Sequence, residues 1–199
     1  MRLIMVRHGE TIWNAEKKIQ GHSDVPLNEA GRNQVLAAAS YLAKEELEEI
    51  YTSDLSRAMD TALAIGAHRG LTPIIDQRLR ESHMGVWEGL DFNTIYTRYR
   101  KEYDAWYGNE EGFIPGGEGV KDVEQRVMSF IEEIALKHQN NVAIATHGGV
   151  IKSILACALG PKYLWEQRVD NASITIVQVK ELKIVPEAIN IVPWQQVKK

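Results

Sequence analysis

The chain predicts an α/β fold built on a doubly wound sheet, and three observations carry that expectation. Short apolar runs alternate with amphipathic segments of helical period through the first eighty or so residues, in the order strand, helix, strand, helix, strand. The alternation resumes after residue 117. Between the two halves, residues 81–117 have a different character and hold eight of the fifteen aromatic residues.

Leu3, Ile4, Met5 and Val6 form an apolar run without helical spacing, as expected of one strand buried on both faces. The run stops at Arg7-His8-Gly9-Glu10-Thr11. A glycine at such a strand end lets backbone come close to a ligand. Residues 15–32 turn polar and read as a long loop broken by Gly21, Asp24 and Pro26. Asn28 caps a helix from about Glu29 to Ala43, with Val35, Leu36, Ala39 and Leu42 on one face. Glu49 to Thr52 is a short strand that ends at Ser53-Asp54. Asp54 is expected to cap a second helix, Leu55 to about Arg69, which Gly70 ends. Pro73-Ile74-Ile75 follows as a third strand.

From Phe92 to Trp106 the aromatics are spaced 4, 3, 4 and 3, a helical stripe expected to pack its helix on the core. The segment at about 82–117 reads as a lid, with Phe113-Ile114-Pro115-Gly116-Gly117 as its return. Val120 to Lys137 is then a helix with Val123, Val127, Phe130, Ile131 and Ile134 on one side. Asn141 to Thr146 is the most strand-like segment in the chain. It ends at His147-Gly148-Gly149 and feeds a helix from Val150 to Leu159, which Gly160-Pro161 stop. Ser173 to Val179 alternates as a strand, and Leu182 to Val192 follows as a last, looser one. No repeat or linker divides the chain, so residues 1–199 are expected to form one domain.

Composition narrows the function classes. With 44% hydrophobic and 25% charged residues, 199 residues can build a full core. A formal net charge of -4 argues against nucleic acid or an anionic membrane as the main partner. An anion site would therefore have to be a local cluster of Arg and His. Cys157 is the only cysteine, which excludes an internal disulfide, and its apolar surroundings suggest a small buried hydrophobe. The N-terminus lacks a signal-peptide pattern, and no apolar run is long enough to span a membrane. Residence in the cytoplasm is the default expectation.

Two strands end alike, Val6 into Arg7-His8-Gly9 and Thr146 into His147-Gly148-Gly149. In an open α/β sheet, chemistry collects beyond the carboxyl ends of strands. Two histidines placed there meet if their strands are neighbours, and the helix that follows His147 offers free backbone N–H groups to an anion. Arg57 lies in the first turn of the helix after the second strand and reaches the same edge. Glu81 opens the insertion. Two imidazoles, two guanidiniums, the Asn14 amide and one carboxylate suit a phosphoryl group, because arginine forks pair with phosphate oxygens. Imidazole is a competent nucleophile, and a carboxylic acid beside the anion can protonate the leaving oxygen. A metal would want further carboxylate or thiolate ligands at the same place, and the arginines would repel it.

With these residues in place, the chain resembles the histidine phosphatase superfamily, which includes cofactor-dependent phosphoglycerate mutases and many phosphatases. The matching stretches are Arg7-His8-Gly9-Glu10-Thr11, Asn14, Ser53-Asp54-Leu55-Ser56-Arg57-Ala58, Glu81, Gly85-Val86-Trp87-Glu88-Gly89, Pro115-Gly116-Gly117-Glu118 and His147-Gly148. They run in consistent order from residue 1 to about 175. The resemblance implies a three-layer α/β/α sandwich around a mostly parallel sheet, with a helical lid. It implies His8 as the nucleophile that becomes phosphorylated, with Arg7, Arg57 and His147 around the phosphoryl oxygens and Glu81 as proton donor and then base. Asn14, Thr11, Gln20, Gly21 and Gly148 would bind substrate. No metal or cofactor is implied, and the partner would be a small-molecule phosphate ester met by a monomer or homodimer.

Length and the run from Arg80 to Gly89 look most like the small phosphatases, such as α-ribazole phosphatase and broad-specificity phosphomonoesterases. The insertion carries Arg98, Arg100 and Lys101 but lacks the paired arginines expected of a mutase. Gly119 stands where a serine is common and Met84 where an aromatic is frequent. A phosphoglycerate mutase and a phospho-ligand binding or signalling module are the alternatives. Isomer interconversion would mark the first, and tight binding without turnover the second.

Overall fold

A computed structural model describes residues 1–196. Among these residues six strands form one sheet: β1 (Arg2–Arg7), β2 (Glu49–Thr52), β3 (Ile74–Ile75), β4 (Asn141–Thr146), β5 (Ile174–Lys180) and β6 (Lys183–Ile191). Their spatial order is β3-β2-β4-β1-β5-β6. The first four strands run parallel, while β5 and β6 are antiparallel additions on the β1 side. The last strand is regular enough to pair along its length with β5, with two register shifts near Ile174 and Ile176.

β1 shows why the sheet is sandwiched. Successive side chains point to opposite faces, so Leu3 and Met5 join one core while Ile4 and Val6 join the other. The first core is closed by α6 (Val120–Lys137) and α7 (Gly148–Leu159), through residues such as Phe130, Ile134, Ile151 and Leu155. The second is closed by α2 (Glu29–Leu42) and α3 (Ser56–Ala67), through Val35, Ala39, Ala62 and Ile65. A short helix α1 (Ile12–Ala15), capped by Thr11, precedes the long loop. Near the C-terminus, α9 (Pro193–Gln196) brings Trp194 against the second core.

The insertion forms α4 (Phe92–Arg98) and α5 (Arg100–Trp106), with α8 (Tyr163–Glu166) coming up beside them from the other half of the chain. The expected single helix is interrupted at Tyr99, which leaves helical geometry at φ -125. The aromatic stripe does not reach the main cores. Trp87, Ile95 and Ile114 form a third small cluster, against which Tyr99, Tyr103 and Trp106 pack, while Phe92 and Tyr96 are exposed.

Other expectations also need correction. Asp54 caps no helix: Leu55 is the N-cap of α3 and makes no side-chain cap bond, because the Asp54 carboxylate pairs with Arg80. The helix after β4 starts at Gly148, directly after His147. Gly9 makes room for α2 rather than for a ligand, since a Cβ there would stand 2.4 Å from the Gly31 carbonyl oxygen. Cys157 lies on the exposed side of α7 with its thiol 3.6 Å from the Glu124 carboxylate. Partial burial of the sulfur, aided by that carboxylate, pushes the thiol up to about 12, which disfavours the reactive thiolate.

Among the described residues, no helix is long and apolar enough to cross a membrane.

Candidate active site

The parallel pairing of β1 with β4 sets Val6 opposite Ala145 and Arg7 opposite Thr146. His8 and His147, one residue further along each strand, therefore leave the sheet side by side. Their ring centroids are 5.2 Å apart. β2 pairs with the other edge of β4 and ends one step earlier, which delivers Ser53 and then Arg57 to the same edge.

The His8 ring is buried, with Nδ1 2.7 Å from the Gly9 carbonyl oxygen. A carbonyl only accepts, so Nδ1 carries the proton and Nε2 keeps its lone pair. Burial, followed by the charges of Arg57 and Arg7, holds His8 well below the ordinary histidine value. The neutral, nucleophilic form is thus the resting one. His147 is fully buried, with Nε2 2.7 Å from Ser53 Oγ. It too is held well below the ordinary value, by burial and then by Arg57.

The two arginines have no carboxylate partner at ion-pair distance among the described residues. Arg57, 0% exposed, donates from Nη1 to the Ser23 carbonyl at 2.9 Å and from Nη2 to the Gly21 carbonyl at 2.8 Å. Arg7 donates from Nη1 to the Val169 carbonyl at 2.6 Å. Among the described residues, five buried polar side-chain atoms lack any partner, and three of them are Arg7 Nε, Arg57 Nε and His147 Nδ1. Buried polar atoms are nearly always satisfied. Arg7 and Arg57 line the cavity beside His8, and the buried His147 ring stands 5.2 Å behind it, so these three nitrogens are the donors available to an anion there.

That hollow opens into a cavity of about 640 Å³, whose wall includes Arg7, His8, Asn14, Arg57, Glu81 and Gly148. Gln20 and Gly21 also line it, whereas Thr11 is fully buried behind the wall. The Thr11 hydroxyl is committed to Gln20 Oε1 (3.0 Å) and Asn14 Oδ1 (3.2 Å). Asn14 Oδ1 also accepts from the Thr11 amide and from Asn171 Nδ2, which leaves its own amide N–H groups free for the cavity. Gly21 stands at φ +53 beneath Glu88, so a side chain there would meet both strain and the Glu88 carboxylate.

Glu81 enters from the far side. Its carboxylate accepts from the Gly149 amide at 3.0 Å, in the first turn of α7, and from the Ser82 amide at 2.9 Å. Its backbone carbonyl accepts from His22 Nε2 (2.8 Å) and Arg126 Nη2 (3.0 Å). Arg126 further binds the carbonyls of Arg78 and Arg80 and the Glu118 carboxylate. The Glu88 carboxylate ties the Gly21 loop to the insertion, accepting from the amides of His22 and Ser23 and from the Ser23 hydroxyl. Burial pushes Glu88 up, and these hydrogen bonds outweigh it and hold it below the ordinary carboxylate value.

Ser53, Asn171, Arg126 and His22 are thus parts of the site that the sequence reading did not single out. Ser53 stood at the end of a predicted strand, a position that could have marked it. Asn171, Arg126 and His22 carried no local signal. No group of three or more His, Cys, Asp or Glu side chains among the described residues is placed to share a metal ion.

Comparison with known proteins agrees with this geometry. A family model described as histidine phosphatase superfamily (branch 1) matches residues 3–192. The chain is 36% identical over 191 residues to a metal-independent phosphoserine phosphatase of Arabidopsis thaliana, covering 91% of this chain and 77% of that one. Its fold superimposes on a mycobacterial glucosyl-3-phosphoglycerate phosphatase with a TM-score of 0.87 at 32% identity, over 95% and 98% of the two chains. The α-ribazole phosphatase of Shigella flexneri gives a TM-score of 0.85 at 28% identity, over 96% of each chain.

Proposed function

The chain belongs to the histidine phosphatase superfamily, and from that premise we infer that it is a phosphomonoesterase acting on small-molecule phosphate esters. The reaction proceeds without a metal, through a phosphohistidine on His8. The observation that carries this reading is the set of unpartnered buried nitrogens on Arg7, Arg57 and His147 beside a neutral imidazole.

His8 Nε2 attacks phosphorus in line with the ester oxygen while the Gly9 carbonyl holds Nδ1–H and steadies the charge that develops on the ring. Arg7, Arg57 and His147 hold the equatorial oxygens. They act in a site closed to water on one side, where preorganised donors are most effective. The P–O bond breaks, and the leaving alkoxide takes a proton from Glu81. In the second half Glu81, now a carboxylate, takes a proton from water. The hydroxide oxygen attacks phosphorus, the P–N bond breaks, and phosphate leaves with His8 neutral again. Asn14 and Gln20 orient the phosphoryl group from the α1 side.

Residues 1–196 act as one domain, with about 82–117 as the lid over the cavity; the last three residues of the expected 1–199 domain lie outside the described residues. Its single cysteine suits a reducing compartment, and we place the enzyme in the cytoplasm as a monomer or homodimer. Replacing His8 with Ala should abolish phosphate release from p-nitrophenyl phosphate without altering the circular dichroism spectrum. Retained turnover would exclude the phosphohistidine route. Assay of 3-phosphoglycerate with a bisphosphate primer separates a phosphatase, which liberates phosphate, from a mutase, which interconverts isomers faster.

A further inference from the structure

Lys152 lies on α7, three residues after Gly149 and four after Gly148, and so on the helix face that carries both glycines. Helical side chains lean toward the N-terminus of their helix, which directs this ammonium at the end of the sheet occupied by His8. Lys152 lines the large cavity. It also lines a second, smaller one of about 80 Å³ under Trp106 and Trp165, and Ser82 and Gly149 belong to both walls. The edge-to-face pair of Trp106 and Trp165, with centroids 4.7 Å apart, roofs the small cavity.

The side chain is only partly exposed and has neither a hydrogen bond nor an ion pair among the described residues. Burial and the Arg7 charge hold it below the ordinary lysine value, with Glu81 acting the other way. Of the other lysines and surface arginines on that wall, Lys18 is paired with Glu16 and Arg168 with Asp170, and Lys17 is exposed to solvent. The Glu118 carboxylate, which also lines the small cavity, is already committed to Arg126 and the His83 amide. An ammonium sunk this far without a counter-charge is unfavourable until an anion meets it.

That anion is not the phosphoryl group, which already has the donors of Arg7, Arg57 and His147. Ser82 and Gly149, which hold the Glu81 carboxylate, continue directly into the small cavity. An alcohol expelled past Glu81 therefore meets Lys152 next. Among the described residues, the small cavity has a largely apolar wall with one free cation, which matches a single negative charge and falls short of what a second phosphate dianion would need.

We propose that Lys152 binds a carboxylate on the leaving alcohol, making the enzyme selective for phosphate monoesters whose alcohol carries a carboxylate a few bonds from the ester oxygen. This deepens the phosphatase reading and rests on it. Phosphoserine and phosphoethanolamine differ only in that carboxylate and form the test pair. The wild type should favour phosphoserine in kcat/KM. Lys152→Met, which keeps an unbranched apolar side chain, should erase that preference by roughly 10- to 100-fold, the factor carried by a charge-assisted hydrogen bond.

An unchanged ratio overturns the proposal. So does an equal loss on both esters, which would make Lys152 a phosphoryl ligand or a structural residue. Calorimetric titration of the same two ligands into His8→Ala protein, with and without Lys152→Met, reads the preference without turnover. If p-nitrophenyl phosphate is not hydrolysed either, the phosphatase reading fails while the titration still decides on Lys152. Binding of phosphoserine no tighter than phosphoethanolamine would overturn the carboxylate site on its own.

Discussion

Replacing Arg57 with Met separates the stability of the fold from the work of the site. The side chain is 0% exposed and donates to two loop carbonyls, of Ser23 and Gly21, yet faces no carboxylate at ion-pair distance among the described residues. Losing two hydrogen bonds from a charged group costs about 3–6 kcal/mol. Removing a buried guanidinium without a counter-ion returns a desolvation penalty of several kcal/mol. The two effects nearly cancel, so the free protein should change in stability by no more than about 2–3 kcal/mol, read from urea unfolding at constant m. With a phosphoryl dianion bound there is no such cancellation. Truncating one partner of a buried, hydrogen-bonded charge pair costs about 2–5 kcal/mol, which lowers kcat/KM by about 30- to several-thousand-fold.

The same variant has a signature in pH. After burial itself, Arg57 is the largest influence holding His8 below its ordinary value. Without that charge the imidazole binds its proton more readily. The acid limb of the kcat/KM profile, where the free enzyme loses its neutral nucleophile, should therefore move to higher pH, toward the ordinary histidine value of about 6.5. A variant with kcat/KM within tenfold of wild type, or with an unmoved acid limb, would refute the reasoning. Unfolding in the absence of ligand would show instead that Arg57 is held for structure.

Glu81→Gln keeps an acceptor for the Gly149 and Ser82 amides but cannot supply a proton. Turnover of alkyl phosphates should fall by about 10²- to 10⁴-fold, and that of p-nitrophenyl phosphate, whose leaving group needs no proton, by much less. Equal losses on both would remove Glu81 from the acid role. Ser53→Ala leaves the buried His147 Nε2 without its 2.7 Å partner. About 1–3 kcal/mol of stability should be lost, and kcat should fall with it because the ring is free to turn. An unaffected kcat, measured on folded protein, would show that packing alone orients His147.

Much of the site was legible because its parts sit at strand ends. Two His-Gly sequences after apolar runs, an arginine one turn into a helix and a carboxylate opening an insertion are each local patterns. The α/β alternation places all of them at one edge of the sheet. The insertion was harder to read. Its aromatic spacing suits one helix packed on the core, but Tyr99 breaks the helix and the rings gather on Trp87 instead. Periodicity reports which residues share a face. It carries no information about what that face meets.

The order of strands and helices and the residue types of an anion site were determined by the sequence alone, because periodicity and residue type are local properties. Only the tertiary structure decided that β1 and β4 are neighbours, so that His8 and His147 come together. It also decided that Asp54 serves Arg80 rather than a helix end, that Thr11 stands behind Asn14 and Gln20, and that Lys152 is left without a partner among the described residues, between two cavities. Each of these depends on which side chain meets which across long stretches of chain, and that is settled only when the layers close around the sheet.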